Sequence, residues 1–416
     1  MRLALNNTLN SITSKEFSNN YSMDFEGTNE YLEASSLADS FPVTGSISFW
    51  VKSDFSSHGI NDGDIFDKYD GVDFRNHIFI RNYTDSTLQC ACQDDSDPAS
   101  GYRASGIITV IDDQWNHVVV TWDTTSASEE KFKGYLNGNT TPVFNANIDV
   151  SGGWTPDGQV VKFGGDGYEG LMDEVAIWDA VLDGDTIGSI YNSGTPNDLT
   201  LSASYTAGSG VDKSGNLLSY WRMGDGIYDS GSGEVIFDQE TPTIGENLIT
   251  DPIFATGTGW TASGGTGIIS ERSTEKPQSG DYSWKFETNG YDENKGVTTP
   301  AITVDANTVY RFSYWAYAPD TNSSRWMNIS STGWVRLGTA LTHTGRSIPT
   351  DTWTEVFGYF RTDSGTSSVA VRFGNGGSAG ADGDLRYFDN VSMVKIGGNP
   401  AIMKNMDSSN IVTDTP

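Results

Sequence analysis

The stretch "GLMDEVAIWDAVLDGDTIGSIYN", residues 170–192, sets two carboxylates, Asp173 and Glu174, side by side in an apolar run. Paired carboxylates hydrolyse glycosidic bonds when both stand on one surface about 5–10 Å apart. Adjacent residues of a β-strand, however, point to opposite faces. On that reading Met172, Glu174, Ala176 and Trp178 share one face, and Leu171, Asp173, Val175 and Ile177 share the other. The two acids then cannot flank one bond. Asp173 reads as a cap on local backbone N–H groups, with Ca²⁺ ligation as the alternative.

A second constellation suits adhesion. In "TVYRFSYWAYA" (308–318), Tyr310, Phe312 and Tyr314 alternate against Arg311, and Trp315 and Tyr317 follow in phase with Arg311. If the first set fills a core, Arg311, Trp315 and Tyr317 make a stripe on the other face. Trp326 in "SRWMN" and Trp334 in "TGWVR" add flat rings in nearby loops. Rings beside hydrogen-bonding groups stack on sugars, each contributing roughly 0.5–1.5 kcal/mol beyond its area term. The alternative is that these rings bury against loops or a partner chain. Trp50, Trp122, Trp178, Trp284 and Trp353 read as core.

The remaining chemistry is sparse. His58, His77, His117 and His343 are isolated, and His117 in "QWNHVVVTWD" reads as a packed strand residue. No G-x-S-x-G, H-E-x-x-H or phosphate-binding glycine loop occurs. Cys90 and Cys92 in "LQCACQ" share a strand face with Cα atoms about 6.5–7 Å apart, at or beyond disulfide reach, so both read as packing residues. Ca²⁺ is the one cofactor the acidic loops suit, since it takes six to eight oxygens. "NDGDIFDKYDGVDF" supplies Asp62, Asp64, Asp67, Asp70 and Asp73, and "CQDDSDPASG" supplies Asp94, Asp95 and Asp97. Asp64 and Asp67 are the metal candidates there, although neither loop has EF-hand spacing and a solvated loop is the competing reading.

These groups need a scaffold, and the pattern predicts an all-β one. The chain has 416 residues, with 12 Trp, 18 Tyr and 19 Phe to fill two cores and 47 Gly to turn between short strands. Period-2 runs at 45–52, 77–83, 114–123, 131–138, 160–165 and 170–179 predict one antiparallel sandwich, and "DGDTIGSIYNSG" (183–194) predicts one short helix. Runs at 282–288, 308–318, 352–362, 367–374 and 385–397 predict a second. The expected organisation is an N-terminal arm at 1–20, a sandwich at 21–227, a linker at 228–245, a jelly roll at 246–397 and a tail at 398–416. With 25 Lys and Arg against 55 Asp and Glu, the net charge of -30 repels nucleic acid and anionic membrane alike. The start "MRLALNNTLNSITSKEFSNN" has no signal-peptide core, and no run is long enough for a transmembrane helix.

"YLE", "GSISFWVK", "QWNHVVVTWD", "GYLNG" and "GLMDEVAIWDAVLDGDTIGSIYNSG" occur in an order that resembles the laminin-G-like, concanavalin-A-like lectin/glucanase superfamily, in its pentraxin-related branch, over about residues 20–195. The β-glucanases of that superfamily carry acids at i, i+2 and i+4 of one strand, and this chain has no such trio. Pentraxin calcium sites use an acid cluster shortly before this strand, where the chain has only Asp166 and Glu169 in "GGDGYEG". "NLITDPIFATGTGWT", "SGDYSWKF", "YRFSYWAYA", "TWTEVFGYFRT" and "YFDNVSMVKI" resemble a carbohydrate-binding-module jelly roll over about 246–397. That resemblance implies a calcium-ligating or structural role for Asp389. The pairing of the two domains, with no signal peptide, resembles virion-surface proteins of marine tailed bacteriophages.

The function this reading predicts is non-catalytic: a virion-surface protein (capsid decoration, fibre or tail-associated) that binds cell-surface glycans. It would be made in the host cytoplasm, contact other virion proteins and form a homo-oligomer. The alternatives are a structural cement without sugar binding and a glucanase-like glycoside hydrolase.

Overall fold

The computed structural model describes residues 17–416 apart from positions 28, 39, 57–62, 69–76, 85, 94–103, 124–130, 148–159, 230–234, 264–268, 290–295, 320–325, 331–333, 338–345 and 376–381. The chain is all-β, and its strands pair antiparallel in several sheets. It forms two compact units, one of residues 1–30, 38–241 and 408–416, the other of residues 31–37 and 242–407. No helix among the described residues is long and apolar enough to cross a membrane.

In the first unit the described strands include β1 (Ser22–Glu26), β2 (Thr44–Lys52), β3 (Asp64–Lys68), β4 (His77–Asn82), β5 (Thr87–Gln93), β6 (Ala104–Thr109), β7 (Asn116–Asp123), β8 (Phe132–Leu136), β9 (Phe144–Ala146), β10 (Val161–Phe163), β11 (Glu169–Trp178) and β12 (Leu217–Trp221). One sheet has the order β9-β8-β7-β2-β11-β1, with Ile411–Val412 added beyond β1 and β12 also paired to β11. The other runs β10-β3-β4-β5-β6 within this unit. Ile47, Phe49 and Val51 of β2 and Val118, Val120 and Trp122 of β7 are buried, and Phe41 stacks on Trp122 at 5.5 Å.

A half-exposed sheet would alternate apolar and polar residues. β2 and β11 instead bury both faces, because a second layer covers the first sheet. That layer is helix α1 (Gly184–Tyr191) with the chain that follows it. Ile187, Ile190, Leu199 and Tyr205 pack there on Val119, Ala176, Trp178 and Tyr220. Asp183 caps α1 by accepting from the Thr186 N–H at 2.8 Å, and Asn192 ends it in the left-handed region at φ 48°. Asn137 and Gly138 turn at φ 48° and 68°, and a Cβ on Gly138 would sit 2.2 Å from the Tyr191 ring, so α1 packs on a position that only glycine fills.

Residues 235–239, expected in a linker, belong to this unit. Val235, Ile236, Phe237 and Asp238 are buried, and Asp238 accepts from the Tyr220 N–H at 2.8 Å. The expected C-terminal tail is used as structure in both units: Ala401–Lys404 pairs with Tyr31–Glu33 in the second, and Ile411–Val412 with β1 in the first.

The second unit contains β13 (Ile269–Ser273), β14 (Ser283–Asn289), β15 (Val309–Tyr317), β16 (Trp334–Leu337), β17 (Thr354–Thr362) and β18 (Asp382–Lys395), in the sheet order β13-β14-β18-β15-β17-β16. A five-stranded sheet, whose strands include Arg372–Asn375 and Trp326–Ser330, completes the sandwich. Phe286, Tyr310, Phe312, Tyr314, Phe360, Phe373 and Phe388 fill the core, with Tyr314 and Phe373 rings 4.5 Å apart.

Candidate functional site

On β15, Tyr310, Phe312 and Tyr314 turn into the core, and Arg311 and Trp315 turn to the opposite face of the six-stranded sheet, both partly exposed. Register puts Arg311 opposite Tyr359 and Trp315 opposite Glu355 on β17. Paired residues share a face, so Glu355, Phe357, Tyr359 and Arg361 join the same surface, and each is partly exposed. The Arg311 guanidinium donates to Glu355 Oε1 at 2.9 Å and lies 4.5 Å over the Phe357 ring. Phe357 meets Tyr359 edge-on at 6.2 Å. The result is a ring-lined surface with one pre-oriented ion pair at its centre, able to stack on an apolar ligand face while donating to and accepting from its hydroxyls.

Tyr317, expected in the same stripe, is buried. Its ring lies 5.7 Å from Trp353 and 6.2 Å from Tyr387, with the Lys276 ammonium 4.7 Å over it, and its hydroxyl donates to Asp351 at 2.6 Å. It is a packed end to the stripe, not an open ring. Trp353, expected in the core, is partly exposed beside it. Trp334 lies on β16 of the same sheet, whereas Trp326 lies on a strand of the five-stranded sheet. The side chains of Trp326 and Trp334 lie outside the described residues. Sequence reasoning passed over Glu355, Phe357 and Tyr359, although their period-2 spacing in "TWTEVFGYFRT" carries the same signal as β15.

Among the described residues no group of three or more His, Cys, Asp or Glu is arranged to hold a metal ion. Asp389 is buried, and its carboxylate accepts from the N–H groups of Gln278, Ser279 and Asn390 at 2.8, 2.9 and 2.7 Å. Ca²⁺ wants oxygens around it, whereas Asp389 faces donors, which is the environment of a structural acid. Asp64 lies beside Asp166 and Asp67, and burial, reinforced by those two charges, pushes its pKa up to about 8. Asp67 accepts from, or pairs with, His77 Nε2 at 2.7 Å. Asp62, Asp70, Asp73, Asp94, Asp95 and Asp97 lie outside the described residues.

The acid pair of the first unit departs from its expected geometry. Glu174 has φ 49°, and the β11–β2 register shifts between Asp173 and Ala176, which is a β-bulge. Asp173 is paired with Trp50 and Ala176 with Ser48, both on the α1 side of the sheet. Glu174 shares a small recess on that side with Ser48, Trp50, His117, Ile190 and Asn197. Both carboxylates therefore stand on one face, where strict alternation would separate them.

They do not line an open groove: Asp173 is 0% and Glu174 3% exposed. Asp173 Oδ1 accepts from the Glu174 N–H at 2.8 Å, and Oδ2 accepts from Asn19 Nδ2 at 3.0 Å. Glu174 accepts from Arg222 Nε at 3.1 Å and from the Tyr220 hydroxyl. Burial, opposed by Arg222, leaves Glu174 raised to about 7, and burial plus the Glu174 charge hold Asp173 well above the usual carboxylate range. His117 is buried between Trp50 at 4.9 Å and Tyr191 at 5.7 Å, and burial drives its pKa down to about 3, so it is a neutral packing residue. Cys90 and Cys92 are buried and form no disulfide with each other.

Residues 26–188 match the family described as the Concanavalin A-like lectin/glucanases superfamily. No curated protein matches the chain. Among solved structures, the chain is similar to the CBM22-1 xylan-binding domain of Xyn10C from Paenibacillus barcinonensis at 13% identity and a TM-score of 0.28, covering 36% of this chain and 96% of that one. It is similar to the native heptameric SAP-like pentraxin from Limulus polyphemus at 14% identity and a TM-score of 0.30, covering 42% and 82%. The enzymatically active domain of bacteriophage CBA120 tailspike protein 4 aligns at 14% identity and a TM-score of 0.24, covering 36% and 21%.

Proposed function

We propose that this protein binds glycans without cleaving them, and that the binding surface is the outer face of the six-stranded sheet in the second unit. One observation carries the reading: Arg311 is held by Glu355 and laid on Phe357 beside the partly exposed rings of Trp315 and Tyr359. An ion pair fixed over a ring offers donors and an acceptor at set positions, and the rings offer stacking area. The lectin-type match over residues 26–188 supports an adhesive role for the other unit. In the finer reading the protein stands on a virion surface, contacts other virion proteins or its own copies, and attaches to cell-surface glycans. Single-site affinity near millimolar, about -4 kcal/mol, would be multiplied by many copies on one particle.

A glycan array decides the matter. Binding that disappears in Trp315→Ala and Arg311→Ala while the fold persists is the expected result. Silence across the array favours a structural cement. The hydrolase reading draws on the shared face of Asp173 and Glu174, but both acids are sealed and hydrogen-bonded. Release of reducing ends from β-glucans would revive it.

A further inference from the structure

Residues 17–21 of the first unit lie across a cluster of three carboxylates and one guanidinium. Asp173, Glu174, Asp225 and Arg222 are all buried. Asn19 donates to Asp173 at 3.0 Å. The N–H groups of Asn20 and Tyr21 donate to Asp225 Oδ2 at 2.6 and 2.7 Å, and Asn20 Nδ2 donates to Oδ1 at 2.9 Å. Arg222 donates to the Ser18 carbonyl at 2.6 Å and lies 4.0 Å over the Phe17 ring. The segment thus covers Asp173, Asp225 and Arg222, the last of which pairs with Glu174, and these groups are what hold the segment.

Among the described residues three carboxylates stand against one guanidinium, an excess of negative charge away from water. A buried site relieves such an excess by binding protons. Glu174 faces Arg222 and Tyr220 from the β12 end, Asp173 on its own strand, Asp225 and Asp198 from neighbouring loops, and neutral His117 across the recess. With the segment lifted, water reaches Asp173 and, beside it, Glu174, and these two ionise in the ordinary acidic range. The closed state therefore holds protons that the open state does not.

We propose that Phe17–Tyr21 is a proton-gated strap, closed over the acid cluster while a proton is bound and loosened as that proton leaves, so that the first unit's grip on its N-terminal arm depends on pH. The sign follows from linkage. Glu174 is raised from its ordinary 4.5 to about 7 in the closed state. The proton's contribution to closure is complete below the ordinary value and is lost as pH rises to the raised one. Opening should increase about tenfold per pH unit for each proton released across that window, then level off.

Amide hydrogen exchange on the full chain tests this, with intrinsic exchange divided out. The Asn20 and Tyr21 amides are expected to open at least about tenfold more at pH 7 than at pH 5, with a plateau above the window. Val119 and Val120 amides in β7 serve as the reference for global unfolding. The Asp173→Asn/Glu174→Gln double variant removes both titrating groups and should flatten the profile. If that variant does not fold, the unmodified chain decides alone. Opening that is constant with pH, that merely tracks Val119 and Val120, or that keeps its slope in a folded double variant overturns the proposal.

Discussion

Glu174 stands in the left-handed region and turns its carboxylate to the same side of β11 as that of Asp173, with the Asp173 side chain capping the Glu174 N–H at 2.8 Å. One bulged residue thus sets two buried acids side by side, with Arg222 ion-paired to Glu174, and makes this part of the fold sensitive to charge.

Removing that partner should be severe and pH-dependent. Arg222→Ala leaves Glu174 buried without a counter-charge, a situation that costs about 3–5 kcal/mol. Because Glu174 is raised to about 7, the loss should be fully expressed near pH 8 and smaller near pH 5, where the acid is neutral. Denaturant unfolding at the two pH values measures the difference, and an equal loss at both would contradict it.

The unmodified protein should be most stable on the acid side of neutrality. Glu174 and Asp64 are raised to about 7 and about 8 from ordinary values of 4.5 and 3.8. A raised carboxyl contributes stability below its unfolded value and loses it as pH rises to the folded one. Thermal unfolding of the first unit should therefore shift down between pH 5 and pH 9, which a calorimetric series would show.

Asp389 provides a test of structure against metal. Asp389→Ala frees three backbone N–H groups around it and should destabilise the second unit by roughly 1–3 kcal/mol per donor left unsatisfied in the interior. Chelation of the unmodified protein with EDTA should leave its melting unchanged. A large drop in melting on chelation, restored by Ca²⁺, would return Asp389 to the ligands.

Trp315→Ala should weaken glycan binding and spare stability, since its ring is partly exposed. Loss of an anchoring ring typically weakens binding by about 2 kcal/mol, near thirtyfold. Glu355→Gln should weaken it less, by loosening Arg311 without removing it. Calorimetric titration with an array-positive sugar separates the two effects.

Gly106 and Gly134 should resist replacement. A Cβ on either would sit 2.1 Å from the Phe144 ring, which lies against both. Gly134→Ala should destabilise by about 1–3 kcal/mol through overpacking, and Phe144→Leu in the same chain should recover part of it. Melting temperatures of the single and double variants measure the coupling.

Strand periodicity carried most of the fold. The alternation in "GSISFWVK" and "NHVVVTWD" placed β2 and β7, and the run at 183–194 placed α1, which Asp183 caps and which the structure ends at Asn192. The Arg311 and Trp315 side of β15 was legible for the same reason, because Tyr310, Phe312 and Tyr314 had to go inward. Trp353 and Tyr317 were misjudged because burial at a sheet end depends on Lys276, Asp351 and Tyr387, which come from distant parts of the chain.

Local order in the chain, then, was enough for an antiparallel β architecture in two parts, the short helix α1 and the inward face of β15, since a two-residue repeat follows from extended backbone geometry alone. It was not enough for the phase of β11. A left-handed residue at Glu174 breaks the repeat, and no neighbour in sequence announces it. Nor could it show that the far side of that sheet is dry. Helix α1, residues 195–205 and the strap at 17–21 arrive there from elsewhere in the chain, and their packing turns two surface acids into a buried, proton-holding cluster.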